Sequence, residues 1–313
     1  MLALLADAPL SDPNLVYEPK YDGIRALVMV APRAGGGPAD VHISSRAGND
    51  KTVQFPEVAL ALSRWGAALA GDALLDGELV ALDADGQPGG FQRIQDRIHL
   101  TGHRDIVRRA AANPIAFVAF DLLRDEGRDI CALPLAERRR RLEAALGTAQ
   151  DAVVRTGKQV RGDGAALLAE ARTRGWEGLV VKDARSPYRP GGRTREWRKL
   201  KLVRRHEFVV GGFTESRAEP SRFGALLVGL PEPGGGLRSV GHVGSGFSER
   251  EITRLKAILA ERETTTCPFS RRPITNEVAH WTRPDLIAEV EFAGLTDDGM
   301  LRAPVYVGLR DGI

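Results

Sequence analysis

Apolar and polar positions along the chain follow two different periods, and the change between them outlines the elements. Residues 24–30 and 116–123 are nearly continuous apolar runs of strand length. After Pro134 the spacing turns helical: Leu135, Leu142 and Leu146 fall on one face, with Pro134 well placed at the start. Residues 164–174 read as a second amphipathic helix that stops near Gly175. Gly-rich segments at 35–37, 85–90 and 233–236 fit hairpin or loop tips. From Glu207 onward the runs become short and strand-like, at 208–212, 224–230, 237–243 and 287–292. One helix candidate, 248–259, interrupts them, and Ser248 with Glu251 three residues on forms a capping-box start.

These patterns predict an α+β protein of two domains, residues 1–203 and 204–313, with the junction near 202–206. The first domain mixes strands and helices. In the second, short Gly-punctuated strands around one helix suggest a small β-barrel of the oligonucleotide-binding (OB) kind, with a sandwich as the alternative.

Composition narrows this only slightly. The chain has 313 residues, 43% of them apolar and 27% charged, which is ordinary for a globular protein with a full core. The net charge of +3 is small, but the cations are clustered. Arg138 to Arg141 form one run, which fits a solvated helix face. Arg193, Arg195, Arg198, Lys199, Lys201, Arg204 and Arg205 form a denser one, which fits a strand offering alternate side chains to a phosphate-rich groove. Two distant cysteines, Cys131 and Cys267, supply neither zinc-type spacing nor a disulfide framework, so a reducing, cytoplasmic setting is expected. The apolar start, Met1 to Leu5, is too short for a signal peptide or an anchor, and no membrane association is expected.

The chemistry concentrates in three ordered segments: Lys20-Tyr21-Asp22-Gly23-Ile24-Arg25, Glu177-Gly178-Leu179-Val180-Val181-Lys182 and Trp197-Arg198-Lys199-Leu200-Lys201. Asp22-Gly23 alone would read as a hairpin turn. Together the segments offer a lysine nucleophile, a carboxylate able to hold Mg²⁺ or Mn²⁺, and further cations for a phosphate. A lysine amine attacks phosphorus only when unprotonated, and its ordinary pKa is about 10.4. Lys20 therefore calls for an electropositive, partly dry pocket, which Arg25, Lys182, Lys199 and Lys201 are placed to supply. Asp76-Gly77-Glu78 begins or ends a strand, with Glu78 a candidate for a ribose hydroxyl. Phe120 is a candidate for stacking on a base, with core packing as the plainer role.

In order and spacing these segments resemble the motifs of the covalent nucleotidyltransferases. The likeness is to ATP-dependent DNA ligases, with RNA ligases and mRNA-capping guanylyltransferases as relatives. It rests on KYDGIR at 20–25, SSRAGND at 44–50, DGEL at 76–79, FDLL at 120–123, EGLVVK at 177–182 and WRKLKL at 197–202. FQRIQ from Phe91, SPYRPG from Ser186, VVGGFTE from Val209 and VGSGFS from Val243 resemble the ligase module of bacterial end-joining ligase D and its stand-alone relatives.

The resemblance implies an N-terminal adenylation domain of antiparallel sheets with flanking helices, and a C-terminal OB barrel. It implies that Lys20 takes AMP from ATP, passes it to a DNA 5′-phosphate, and that the nick is then sealed. Arg25 and Arg46 would contact the nucleotide or the nick phosphate, Glu18 and Glu78 the nucleotide, and Phe120 the adenine. Lys182, Lys199 and Lys201 would bind the α-phosphate, and Glu177, with Glu78, the metal. Nicked duplex DNA is the implied substrate, bound by a monomer, with a Ku-type end-binding protein and separate polymerase or nuclease proteins as partners. A bacterial cytoplasmic enzyme, associated with the nucleoid when on DNA, follows. The alternatives are an RNA ligase or capping-type guanylyltransferase, and a non-catalytic nucleic-acid-binding protein. One departure stands at the C-terminus. The family's closing Arg-x-Asp-Lys appears as Arg310-Asp311-Gly312-Ile313. Arg310 retains the opening position, while Gly312 and Ile313 replace the Asp and Lys expected to orient pyrophosphate.

Overall fold

A computed structural model describes residues 1–147, 150–216, 223–296 and 298–310. The chain separates into two compact units, Met1–Lys201 and Leu202–Ile313.

The first unit holds two sheets. One has five strands in the order Leu2–Leu5, Arg193–Lys201, Gly178–Asp183, Ser11–Pro19, Val160–Asp163. The other runs Asp40–Ser45, Ile24–Ala31, Ala73–Ala81, Ile115–Asp125, Arg128–Asp129, with Val154–Thr156 also on Ile115–Asp125. Val28, Leu75, Leu79 and Phe117 from the second sheet bury their side chains against Val58 and Leu62 of the helix Pro56–Gly66, and Leu142 and Leu146 of Leu135–Leu146. The helices Pro56–Gly66, Gln92–Ile98 and His103–Ala112 are additional to those expected.

Three local expectations change. Asp22-Gly23 is not a hairpin turn, because the strands on either side, Ser11–Pro19 and Ile24–Ala31, belong to different sheets. Asp76-Gly77-Glu78 lies in the middle of Ala73–Ala81, not at its end. Gly77 is needed there, since a Cβ would come within 2.5 Å of the Phe117 ring. The arginine run at 138–141 is only half solvated. Arg138 and Arg139 are buried, while Arg140 and Arg141 pair with Glu137 at the surface. Arg138 makes a two-pronged bond to the buried Asp121, Nε to Oδ1 at 2.8 Å and Nη2 to Oδ2 at 2.8 Å. A charge removed from water persists only with such a partner. The helix Gly164–Arg174 follows its pattern: Asp163 caps it through Ala165 and Ala166, and Gly175 ends it at φ 68°.

The second unit is a half-barrel sheet in the order Leu237–Val243, Phe223–Pro231, Arg204–Glu215, Ala279–Phe292, Glu263–Thr264, with Val305–Arg310 also on Ala279–Phe292. Among the described residues no ladder joins Leu237–Val243 to Val305–Arg310. The approach is instead bridged by Tyr306 N–H donating to the Ser245 carbonyl at 2.8 Å. The helix Glu249–Ala260 buries Leu255 and Leu259, and Ser248 Oγ accepts from Glu251 N–H at 3.2 Å. The return half of the capping box is replaced, because the Glu251 carboxylate accepts from the Tyr306 hydroxyl at 2.6 Å.

Candidate active site

Within the first unit, the two sheets supply the walls of a cleft of about 250 Å³. Glu18, Lys20, Lys182 and Lys199 line it from the five-stranded side, and Arg25, Arg46, Glu78 and Phe120 from the other. Each of these residues is one that the sequence nominates, and Tyr21, Val180, Arg193 and Trp197 join them.

Lys20 sits just past Ser11–Pro19, with its N–H donating to the Gly178 carbonyl at 2.9 Å. That bond places it beside Glu177, whose carboxylate forms an ion pair with the Lys20 ammonium. Lys201 Nζ lies 3.7 Å from the same carboxylate. Asp22 accepts from Phe91 N–H at 3.0 Å, so it anchors the start of Gln92–Ile98. Gly23 passes so near Leu79 that a Cβ would come within 2.1 Å of its carbonyl oxygen. The Lys20 turn is therefore fixed by its neighbours in space rather than by a hairpin.

Arg25 and Glu78 face each other across paired strands. The Arg25 guanidinium grips Asp76, Nε to Oδ1 at 2.9 Å and Nη2 to Oδ2 at 2.6 Å. Burial works against its charge, but Asp76 outweighs burial and raises its pKa. Burial pushes the Glu78 carboxyl up to about 8, although Arg25 and Lys20 pull the other way. At neutral pH Glu78 is thus an acid with a proton to donate.

Lys182 is buried at the end of the EGLVVK segment. Its Nζ lies 2.6 Å from Glu18 Oε2, 4.4 Å from the centre of the Phe120 ring and 4.1 Å from that of Trp197. The Glu18 contact is close but poorly aligned, so Nζ keeps donors without an acceptor. Glu18 Oε1 accepts from Gln159 at 2.8 Å. On Arg193–Lys201, Arg193, Trp197 and Lys199 face the cleft, whereas Arg198 does not. Burial, and then Lys201, Lys20 and Arg193, lower the Lys199 pKa. Arg46 stands on a tight turn in which Ser45 N–H donates to Asn49 at 2.9 Å and Gly48 takes φ 82°.

The electropositive field is thinner than the sequence suggests, since Lys20, Arg25 and Lys182 each lie against a carboxylate. Among the described residues no cluster of three or more His, Cys, Asp or Glu converges to hold a metal. A cation held by one carboxylate and completed by phosphate oxygens still fits, and Glu177, beside Lys20, could serve as that carboxylate. Glu78, protonated near neutrality, suits a sugar hydroxyl better. Arg310 belongs to the second unit, where Nη2 lies 2.8 Å from Glu289 and Nε 3.6 Å from Glu207. Gly312 and Ile313 lie outside the described residues.

Sequence reasoning gave no role to Trp197, Tyr188 or Gln159 and missed the roles of Asp76 and Asp121. Only Trp197 left a signal: strand alternation puts it on the same face as Lys199.

Residues 4–201 match the ATP dependent DNA ligase domain family, and residues 219–312 match the ATP dependent DNA ligase C terminal region. The chain is 36% identical over 312 residues to the multifunctional non-homologous end joining DNA repair protein LigD of Mycobacterium tuberculosis, covering 97% of this chain and 37% of that protein. It thus spans about a third of the length of the curated relatives of that name. Among solved structures it is similar to the ligase domain of M. tuberculosis LigD, with TM-score 0.53, 34% identity, and coverage of 98% of this chain and 94% of that one. A mycobacterial DNA ligase D complexed with ATP and MES gives TM-score 0.51 at 32% identity, covering 98% of this chain and 94% of that one.

Proposed function

We infer the activity from one premise: the chain belongs to the ATP-dependent DNA ligase family. The proposed reaction is the ATP-driven sealing of nicks in duplex DNA, in three in-line displacements at phosphorus. Unprotonated Lys20 Nζ attacks the α-phosphorus of ATP; a P–N bond forms, the bond to the β-phosphate breaks, pyrophosphate leaves, and Nζ releases a proton to solvent. A DNA 5′-phosphate oxygen then attacks the same phosphorus, breaking the P–N bond as Nζ takes a proton from solvent and Lys20 is restored. Finally the adjacent 3′-hydroxyl attacks the 5′-phosphorus, AMP departs, and the hydroxyl proton goes to solvent.

The convergence of Lys20, Arg25, Arg46, Glu78, Phe120, Lys182 and Lys199 on one cleft carries this reading. Phe120 and the wall of Glu18 and Gln159 hold the base. Glu78 donates to the ribose. Lys182, Lys199 and Lys201 neutralise the α-phosphate, and Arg25 and Arg46 meet the remaining phosphates or the nick. Glu177 would hold Mg²⁺ or Mn²⁺, which supplies charge neutralisation at phosphate oxygens when bound. Arg310 orients the pyrophosphate in the first displacement.

The resemblance to end-joining relatives supports a role in double-strand-break repair. There the chain works as a monomer on the bacterial nucleoid, beside a Ku-type end binder and alongside polymerase and nuclease activities. No helix among the described residues is long and apolar enough to cross a membrane. The test is a nicked duplex carrying a labelled 5′-phosphate, offered with ATP and Mg²⁺. Sealing with deoxyribose at the 3′ side, lost in Lys20→Ala, is expected. Sealing only with ribose there would turn the reading to RNA.

A further inference from the structure

Tyr188 carries more contacts around the cleft than any role so far assigned to it explains. It lies on the loop between Gly178–Asp183 and Arg193–Lys201, both in the five-stranded sheet, yet its hydroxyl reaches into the other sheet. There it donates to Oδ2 of the fully buried Asp76 at 2.9 Å, the same oxygen that Arg25 grips, and it accepts from Arg25 Nη2 at 3.3 Å. Its ring edge meets Trp197 at 5.8 Å, and the Arg138 guanidinium lies 5.8 Å from its centre. The backbone is fixed as well: Tyr188 N–H donates to the Cys131 carbonyl at 2.8 Å, and Ser186 O accepts from Leu135 N–H at 2.9 Å.

We propose that Tyr188 is a positioning residue for Arg25, tying the Arg25–Asp76 pair of one cleft wall to Trp197 of the other so that the guanidinium holds one direction. The proposal rests on the reading of the cleft as an adenylyl-transfer site.

The physical reason is the placement of Asp76. A carboxylate buried this completely needs all its acceptor positions served, and Arg25 alone serves it along one edge. The Tyr188 hydroxyl closes the second side of Oδ2 and stops the Arg25–Asp76 fork from pivoting about that oxygen. Burial and then Asp76 raise the pKa of the phenol well above its ordinary value, so it stays a donor across the working range. A guanidinium that must meet a phosphate in one direction loses more from such pivoting than from a small change in distance.

Tyr188→Phe keeps the ring contacts and removes only the hydroxyl. The first readout needs no chemistry: exchange of the Arg25 Nε proton, followed by nitrogen-15 arginine spectra, is expected to quicken about tenfold in the variant. The second is lysyl-AMP formation, expected to slow about tenfold with the KM for ATP within about twofold of the parent. In an Arg25→Gln background the same substitution is expected to add nothing, since both changes act through one group. Unchanged exchange at Arg25 overturns the proposal whatever the cleft does. Quickened exchange with full adenylylation overturns the link to the reaction. Equal slowing in both backgrounds shows a role in packing alone. Quickened exchange with no labelling of the parent protein would leave the positioning intact and overturn the reading of the cleft instead.

Discussion

Arg138 and Arg310 make the same bond in two different media. In the first unit Arg138 and Asp121 are both fully buried, joined by two bonds of 2.8 Å, with Nη1 donating to the Leu133 and Ser186 carbonyls. In the second, the Arg310 side chain is 54% exposed and bridges Glu289 and Glu207 on the outer face of the sheet. Those two glutamates are direct cross-strand neighbours, so the arginine relieves a like-charge contact. Water and salt screen the exposed bridge, whereas nothing replaces a lost partner in the buried one. The buried pair is therefore a structural commitment, and the exposed arginine keeps its charge available for other work.

The comparison is broken most forcefully at Asp121. Asp121→Ala would strand the Arg138 charge and is expected to cost the first unit about 3–5 kcal/mol in denaturant unfolding. A loss below about 1 kcal/mol would put the pair on the same footing as a surface bridge. Glu78 gives the next effect, and its sign follows from proton counts. Its carboxyl titrates near 8 in the fold and near 4.5 when unfolded, so between those values the folded state holds the extra proton. Stability from this group should fall as pH rises through that window and level off above 8. Glu78→Gln should remove the slope, raising Tm at pH 8 while leaving it nearly unchanged at pH 4; an unaltered slope would contradict the burial argument.

Arg310→Ala should cost only about 0.2–1 kcal/mol of stability, as an exposed bridge does. Its loss should show in chemistry instead. Lysyl-AMP formation should fail while a pre-adenylylated nick is still sealed, and equal loss of both steps would remove Arg310 from the pyrophosphate. The smallest effect is at His280, whose ring lies 2.8 Å from Glu263 and 3.1 Å from Glu215. Bonding to Glu263, and then to Glu215, raises its pKa. The stability it adds is complete below the ordinary histidine range and is lost as pH climbs through the raised value. His280→Gln should flatten that part of the curve, and a histidine-dependent loss on acidification would reverse the sign.

How much of this the sequence held depends on the distance over which each feature is decided. The helix Gly164–Arg174 with its Gly175 stop, the Ser248 cap and the strand runs are set by neighbouring residues, and they read correctly. The cleft residues were legible because the ligase motifs name them. Partners were not. Arg138 finds Asp121 across 17 positions and Tyr188 finds Asp76 across 112, so a run of four arginines gave no sign that two of them are buried. The Asp22-Gly23 turn misleads for the same reason, since its local form suits a hairpin and only the sheet assignment rules that out. Neutralisation of Lys20, Arg25 and Lys182 by Glu177, Asp76 and Glu18 was likewise invisible, and it changes the expected field from open cations to paired ones.

The account turns on Lys20 as the nucleophile. Purified protein incubated with α-labelled ATP and Mg²⁺, then run on a denaturing gel beside Lys20→Ala, tests this most directly. A labelled band that disappears in the variant is the predicted result. Label that persists in Lys20→Ala, or parent protein that neither labels nor seals a pre-adenylylated nick, would contradict it.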